Sequence, residues 1–161
     1  MTLTAGLRTK RALGTFLVAW LAMDVIGTIS YMLLSLAMTG SLPGAPAGAA
    51  IAQDPVWLAS NRVLPVLNLL VWVAAGAWYL RRPRADGSMK EAWLVGALWL
   101  VIVLPLDLLH YVIIPTPLTI GARAFYVDQA PWIYLIYAIV VTAPALAFAL
   151  RRRRRRPTTA A

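Results

Sequence analysis

The sequence predicts an all-α membrane protein, an up-down-up-down bundle of four transmembrane helices with both termini in the cytoplasm. Two observations predict it: four long apolar runs and a one-sided distribution of basic residues. An α-helix rises about 1.5 Å per residue, so roughly 20 apolar residues cross a hydrocarbon core of about 30 Å. The runs at residues 12–38, 63–80, 92–114 and 131–150 meet or nearly meet that length.

Length and composition limit what the rest of the chain can do. The chain has 161 residues, of which 61% are hydrophobic, against about 45–50% in soluble domains. The four runs leave no segment long enough for a separate soluble domain, so a single integral membrane domain over residues 1–161 is expected. The sequence contains no cysteine, which excludes disulfides, thiolate nucleophiles and cysteine-ligated metal centres within it.

Basic residues lie mostly on one side of the predicted membrane. Thirteen of the 15 Lys and Arg residues precede the first run, lie between the second and third, or follow the fourth; the others are Arg62 and Arg123. Cytoplasmic loops carry the excess of Lys and Arg, so both termini are predicted to be cytoplasmic. The basic cytoplasmic tail at residues 151–161 is expected to bind anionic lipid headgroups rather than nucleic acid. The arginine-rich and alanine-rich composition favours a bacterial cell membrane, with a multi-pass topology.

Each run has its own justification. The run at 12–38 is far longer than the apolar core of a signal peptide, about 7–15 residues, and is interpreted as a retained span. Asp54 followed by Pro55 is typical of an N-cap and a first helical position, so the second span is predicted to begin near Pro55. The third run carries Asp107 inside an apolar stretch, and the fourth opens on Pro131.

Polar side chains from all four runs are expected at a similar depth. Counted from the flanking charges at about 1.5 Å per residue, Asp24 and Asn68 lie about 20 Å inward, Tyr137 about 21 Å and Asp107 about 24 Å. We therefore predict one polar layer in the outer half of the bundle, with Asp24 and Asp107 facing each other from diagonally placed spans. The predicted ligand-binding residues are Asp24, Asn68, Asp107, His110, Tyr111 and Tyr137.

Three interpretations of this polar layer remain open. An aspartate at the centre of a membrane helix costs roughly 2.5–3.5 kcal/mol, so it must be protonated, paired or hydrated. Hydrogen bonding that holds the bundle together is one interpretation. The favoured function is a pocket for a small or lipidic ligand in a transport or accessory subunit. The alternative is an enzyme acting on a lipid-soluble substrate, with Asp107 and His110 as an acid–base pair on one helical face.

The sequence also bears on whether the bundle forms a pore, on metals and cofactors, and on protein partners. The cytoplasmic halves of the runs are almost wholly apolar, which favours a pocket open to the outside over a continuous pore. No metal-ligand spacing and no cofactor signature is present, so neither a metal nor a cofactor is predicted. The protein partner expected for such a chain is a second copy of itself, in a homo-oligomer, or another membrane protein.

Overall fold

The computed structural model describes residues 8–43, 53–81, 88–115 and 119–154, and this part of the chain is helical without β-strands. The four main helices are α1 (Thr9–Thr39), α2 (Pro55–Leu80), α3 (Met89–Leu108) and α4 (Trp132–Arg154). A π-helical turn at Leu109–Ile113 extends α3, and a second at Ala124–Asp128 precedes α4. All four helices are long and apolar enough to cross a membrane, counting the turn with α3. The prediction of four apolar helices is confirmed.

Local sequence signals explain where the helices begin. Asp54 caps α2 by accepting the Val56 N–H at 2.8 Å, and Pro55 is the first helical residue, as predicted. The Ser88 hydroxyl accepts the Glu91 N–H at 3.0 Å at the start of α3. The first helix ends at Thr39 and is capped by Gly40, whose φ of 72° favours glycine. The fourth helix begins at Trp132 and continues through Arg154, so the first part of the predicted tail is helical.

The ends of the helices that carry basic residues meet. Arg8, before α1, lies 3.8 Å from Glu91 at the start of α3. The hydroxyl of Tyr79, near the end of α2, donates to the same carboxylate at 2.7 Å. Arg151, near the end of α4, donates to the backbone carbonyl of Leu80. The start of α1, the end of α2, the start of α3 and the end of α4 therefore share one end of the bundle, here called the basic end.

The helices pack in an order that the sequence analysis did not predict. Helix α2 packs extensively against α1 and α4, and α3 packs extensively against α4. Helices α1 and α3 contact each other along a short stretch only. The neighbours around the bundle are therefore α1, α2, α4 and α3, in that order. The prediction that the first and third spans lie diagonally is wrong: they are neighbours across a thinly packed side.

Two glycines explain why α4 packs closely against both α2 and α3. A Cβ atom at Gly76 of α2 would lie 2.9 Å from the Cα of Pro144 in α4. A Cβ atom at Gly96 of α3 would overlap the backbone carbonyl of Val141 in α4. Small residues permit such approach between membrane helices, where van der Waals packing drives association. Both α2 and α3 are therefore held close to α4, and neither glycine faces α1.

The tightly packed core lies toward the basic end. Trp99 is fully buried and donates its Nε1–H to the backbone carbonyl of Ala12 at 3.0 Å. Its ring packs against Trp72, which in turn contacts Phe16, with ring centroids 5.4 Å and 5.5 Å apart. Helix α1 buries four residues here, but none between residues 20 and 34. We call this part of the bundle the closed half, and the part beyond Trp72 the cavity half.

Candidate ligand-binding cavity

The cavity half contains a cavity of about 350 Å³ with mostly apolar walls. All four helices contribute to its lining, as does the π-helical turn before α4. Trp72 and Val140 bound it on the side of the closed half and are themselves buried. Thr28 and Met32, on α1, line it and are exposed, so the cavity reaches the bundle surface. Its aromatic lining residues are Trp20, Tyr31, Trp57, Trp72, Tyr111 and Phe125.

Asp107 joins three helices at the wall of this cavity. Its Oδ1 accepts a hydrogen bond from Trp20 Nε1 of α1 at 3.3 Å, and its Oδ2 accepts one from the Tyr137 hydroxyl of α4 at 3.1 Å. Its exposed fraction is 7%. A buried carboxylate is tolerated when each oxygen has a donor. Asp107 therefore has a structural role in holding α1, α3 and α4 together beside the cavity.

Asp24 is more weakly held. Its Oδ1 lies 3.4 Å from the Tyr111 hydroxyl and 3.8 Å from His110 Nε2, both in the π-helical extension of α3. Its side chain is 33% exposed. Trp20 thus donates from α1 to α3, while Tyr111 donates from α3 back to α1. These two long hydrogen bonds cross the thinly packed side of the bundle, and Asp24 retains capacity to accept a further donor.

At the end of the cavity away from the basic end, Tyr31 and Asp54 connect α1 to α2. The Tyr31 hydroxyl donates to Asp54 Oδ2 at 2.8 Å, while Asp54 Oδ1 caps α2. The ring of Trp57 meets Tyr31 edge-on, with centroids 5.9 Å apart. Trp57 Nε1 and Gln129 Nε2 are both buried, and neither finds a hydrogen-bond partner among the described residues. Both residues line the cavity.

Asn68 is satisfied within its own helix. Its Nδ2 donates to the Leu64 carbonyl at 2.9 Å, and its Oδ1 accepts from Trp72 Nε1 at 3.0 Å. Asn68 lines the cavity on the side of the closed half. Each end of the amide has one partner, so this side chain fixes the Trp72 ring, while one N–H and one oxygen lone pair remain for a ligand.

The structure brings together most of the predicted site residues. Asp24, Asn68, Asp107 and Tyr111 line the cavity, whereas Tyr137 contacts Asp107 from α4. His110 is not among the lining residues; its ring packs edge-on against Trp20 and Tyr111, with centroids 5.6 Å and 4.6 Å away. The carboxylate within 4.0 Å of His110 is Asp24. That these residues bind a ligand stays a prediction.

The lining residues that were not predicted to bind a ligand include Trp20, Tyr31, Trp57 and Gln129. Trp20 precedes Asp24 by one helical turn and so shares its face, which is a signal that could have identified it. Gln129 lies in the turn between the π-helical segment and α4, where no periodic pattern predicts the direction of a side chain. Its place in the cavity depends on how that turn folds back over the bundle.

Neither metal chemistry nor similarity to other proteins indicates a function. Within the described ranges, no three His, Asp or Glu side chains lie together in a group that could hold a metal ion. No protein-family model matches this sequence, and comparison with curated proteins and with solved structures gives no significant match. The function is therefore argued from the cavity itself.

Proposed function

We propose that this chain is a multi-pass protein of the bacterial cell membrane whose cavity binds a small or lipidic ligand, as part of a transport system or as an accessory subunit. The observation that carries the proposal is a cavity of about 350 Å³ with aromatic walls and two aspartates. Ligand sites are typically concave, mostly apolar and about 300–1,000 Å³ in volume, with a few polar groups that orient the ligand. Carboxylates in membrane helices are costly, which favours a functional role.

The shape of the cavity supports a pocket rather than a continuous pore. Trp72 and Val140 bound the cavity, and beyond them the closed half is filled by buried aromatic and aliphatic side chains. The exposed lining residues Thr28 and Met32 provide access along α1. A ligand could enter there without crossing the closed half.

Both termini are proposed to be cytoplasmic, because the basic end carries most of the Lys and Arg residues. The cavity half then lies toward the outside of the membrane. Fusions of a reporter that is active only outside the cytoplasm test this orientation. We expect activity for the fusion at Gly44 and none at Gly87, and the reverse pattern would refute the proposed orientation.

A variant that fills the cavity tests the proposed binding function. Gly27 lines the cavity, and a Cβ there would make an ordinary contact with Leu64 at 3.6 Å, so Gly27→Leu should reduce the volume without breaking the helix. Gly14→Leu is the matched control, because a Cβ at Gly14 meets nothing within 4 Å. We expect native mass spectrometry to show a molecule retained by the wild type and the control but lost from Gly27→Leu. Equal retention by both variants would contradict the proposal.

Anionic lipids are proposed as partners of the basic end. Arg152, Arg153 and Arg154 are exposed on the last turn of α4, and Lys90 is exposed near the start of α3. Each basic residue near an anionic membrane surface contributes about 1 kcal/mol of attraction. Such a cluster favours lipids with acidic headgroups at the cytoplasmic surface.

The enzyme hypothesis has less geometric support. Both oxygens of Asp107 accept hydrogen bonds from the protein, and the carboxylate closest to His110 is that of Asp24. His110 lies outside the cavity lining. A general acid or base must reach its substrate within hydrogen-bonding distance, so the observed contacts favour binding over catalysis by this pair.

A further inference from the structure

The two unpartnered donors point to the chemistry of the ligand. Gln129 is buried, with an exposed fraction of 7%, yet its Nε2 has no hydrogen-bond partner among the described residues. Trp57 Nε1 is equally without an acceptor. A buried donor left unpaired costs about 1–3 kcal/mol, so such groups usually have a partner in the functional state. Both residues line the cavity, but these two nitrogen atoms are themselves buried, so a ligand within the cavity can supply the missing acceptors once each side chain turns slightly toward it.

The carboxylates at the cavity wall disfavour an anionic headgroup. Asp24 and Asp107 line the cavity, and no lysine or arginine of the described residues does so. A carboxylate or phosphate inside this cavity would face two aspartates in a medium of low dielectric constant, where like charges repel strongly. Asp24 is only partly satisfied by Tyr111 and His110, so it can accept a donor from the ligand.

We infer that the cavity binds an uncharged amphiphile whose headgroup presents a carbonyl-type acceptor to Trp57 and Gln129 and a hydroxyl or amide donor to Asp24. This inference rests on the proposed binding function and specifies its ligand class. The apolar part of the molecule would lie against the aromatic and aliphatic walls, which are about as apolar as the lipid it leaves, so the headgroup contacts would decide which amphiphile binds. The acceptors would be needed near the start of α2 and the turn before α4, at the end of the cavity far from Trp72.

Three probes of matched chain length separate the possible headgroups. Monolauroylglycerol carries an ester carbonyl and hydroxyl groups, dodecyltrimethylammonium is cationic without a strong acceptor, and laurate is anionic. Binding of each to the purified full chain is followed by native mass spectrometry over a concentration series. We expect monolauroylglycerol to bind more tightly than laurate, and more tightly than dodecyltrimethylammonium, which brings no acceptor for Trp57 and Gln129. Tighter binding of the cation would overturn the assignment of an uncharged headgroup.

Two substitutions remove the unpartnered donors one at a time. Trp57→Phe keeps an aromatic ring without the indole N–H, and Gln129→Met keeps the side-chain length without the amide. Each is expected to weaken monolauroylglycerol binding about three- to tenfold, the effect of one neutral hydrogen bond. Binding of dodecyltrimethylammonium should be unchanged. The melting temperature of Gln129→Met should not fall, because an unpaired donor does not stabilise the free protein.

Controls distinguish failure of this inference from failure of the proposed function. Trp93→Phe, an exposed position outside the cavity lining, should leave binding of all probes unchanged. If Gly27→Leu abolishes binding while Trp57→Phe and Gln129→Met do not weaken monolauroylglycerol, the cavity is a binding site and the headgroup assignment is overturned. Absence of monolauroylglycerol binding, or preference for laurate, also overturns the assignment. If Gly27→Leu affects no probe, both proposals fail.

Discussion

The closed half and the cavity half use similar aromatic residues in opposite ways. In the closed half, Trp72 and Trp99 are fully buried against each other, and α2 and α3 approach α4 through glycine. In the cavity half, Trp20 and Trp57 border open volume, and α1 is joined to its neighbours by side-chain hydrogen bonds. In the closed half the helices are in close backbone contact. In the cavity half, polar side chains join the helices across an open volume.

The hydrogen bonds between α1 and α3 in the cavity half are longer than the hydrogen bond between α2 and α3 at the basic end. In the closed half, Tyr79 donates to Glu91 at 2.7 Å. Across the thin side of the cavity half, the Trp20–Asp107 and Tyr111–Asp24 bonds are 3.3 Å and 3.4 Å long. Long hydrogen bonds are weaker, so α1 and α3 can separate at lower cost here than elsewhere. This is the side where a ligand could be admitted.

The largest contrast is expected from removing one tryptophan in each half. Trp99→Ala should lower the free energy of unfolding by about 3–5 kcal/mol, since the neighbouring buried rings cannot fill the space. Trp20→Ala should cost less, because Trp20 already borders a cavity, and part of its cost should come from the donor that Asp107 loses. Equilibrium unfolding in detergent measures both. Equal losses would mean that the two halves are packed alike.

A smaller effect is expected from adding a methyl group at a glycine. Gly96→Ala should destabilise the protein by about 1–3 kcal/mol, because the new Cβ overlaps the Val141 backbone and must push α3 away from α4. Gly14→Ala, with no atom near its Cβ, should be neutral or slightly stabilising through helix propensity. The comparison is made by thermal unfolding, and a stable Gly96→Ala would disprove the close backbone contact.

The two aspartates should respond differently to an apolar substitution. Asp107→Leu leaves the Tyr137 hydroxyl and the Trp20 indole without an acceptor and should cost about 1–3 kcal/mol. Asp107→Asn should retain most of the stability, since the amide oxygen still accepts. Asp24→Leu should cost less than Asp107→Leu, because its contacts are 3.4 Å and 3.8 Å long. Unfolding curves in which Asp24→Leu is less stable than Asp107→Leu would contradict this ranking.

The smallest change in stability is expected at the basic end. Replacing Arg152, Arg153 and Arg154 by glutamine should not change the melting temperature in neutral detergent, since all three are exposed. Retention of phosphatidylglycerol, measured by native mass spectrometry, should decrease because three cationic groups are lost. Arg151→Gln serves as the contrast: it removes a hydrogen bond to Leu80 and should reduce stability. Unchanged lipid retention in the triple variant would refute a lipid role for these arginines.

The depth of several polar residues at the cavity was predictable from their position along the chain, because residues at equal depth in antiparallel helices lie at the same level of the bundle. Asp24, Asn68, Asp107 and Tyr137 were placed in one layer by counting, and the first three line one cavity. Counting could not assign their partners. Tyr137 donates to Asp107, and the carboxylate within 4.0 Å of His110 is that of Asp24 rather than that of Asp107, its predicted acid–base partner.

The sequence by itself determined the four helices and most of their ends, because these depend on run length and on local capping groups such as Asp54 and Ser88. Only the tertiary structure decided that α4 lies between α2 and α3, that Trp20 reaches Asp107, and that Gln129 faces a cavity without a partner. The physical reason is that lipid is as apolar as a leucine side chain. A membrane helix can therefore be apolar on every face, and its pattern does not reveal which face meets which neighbour.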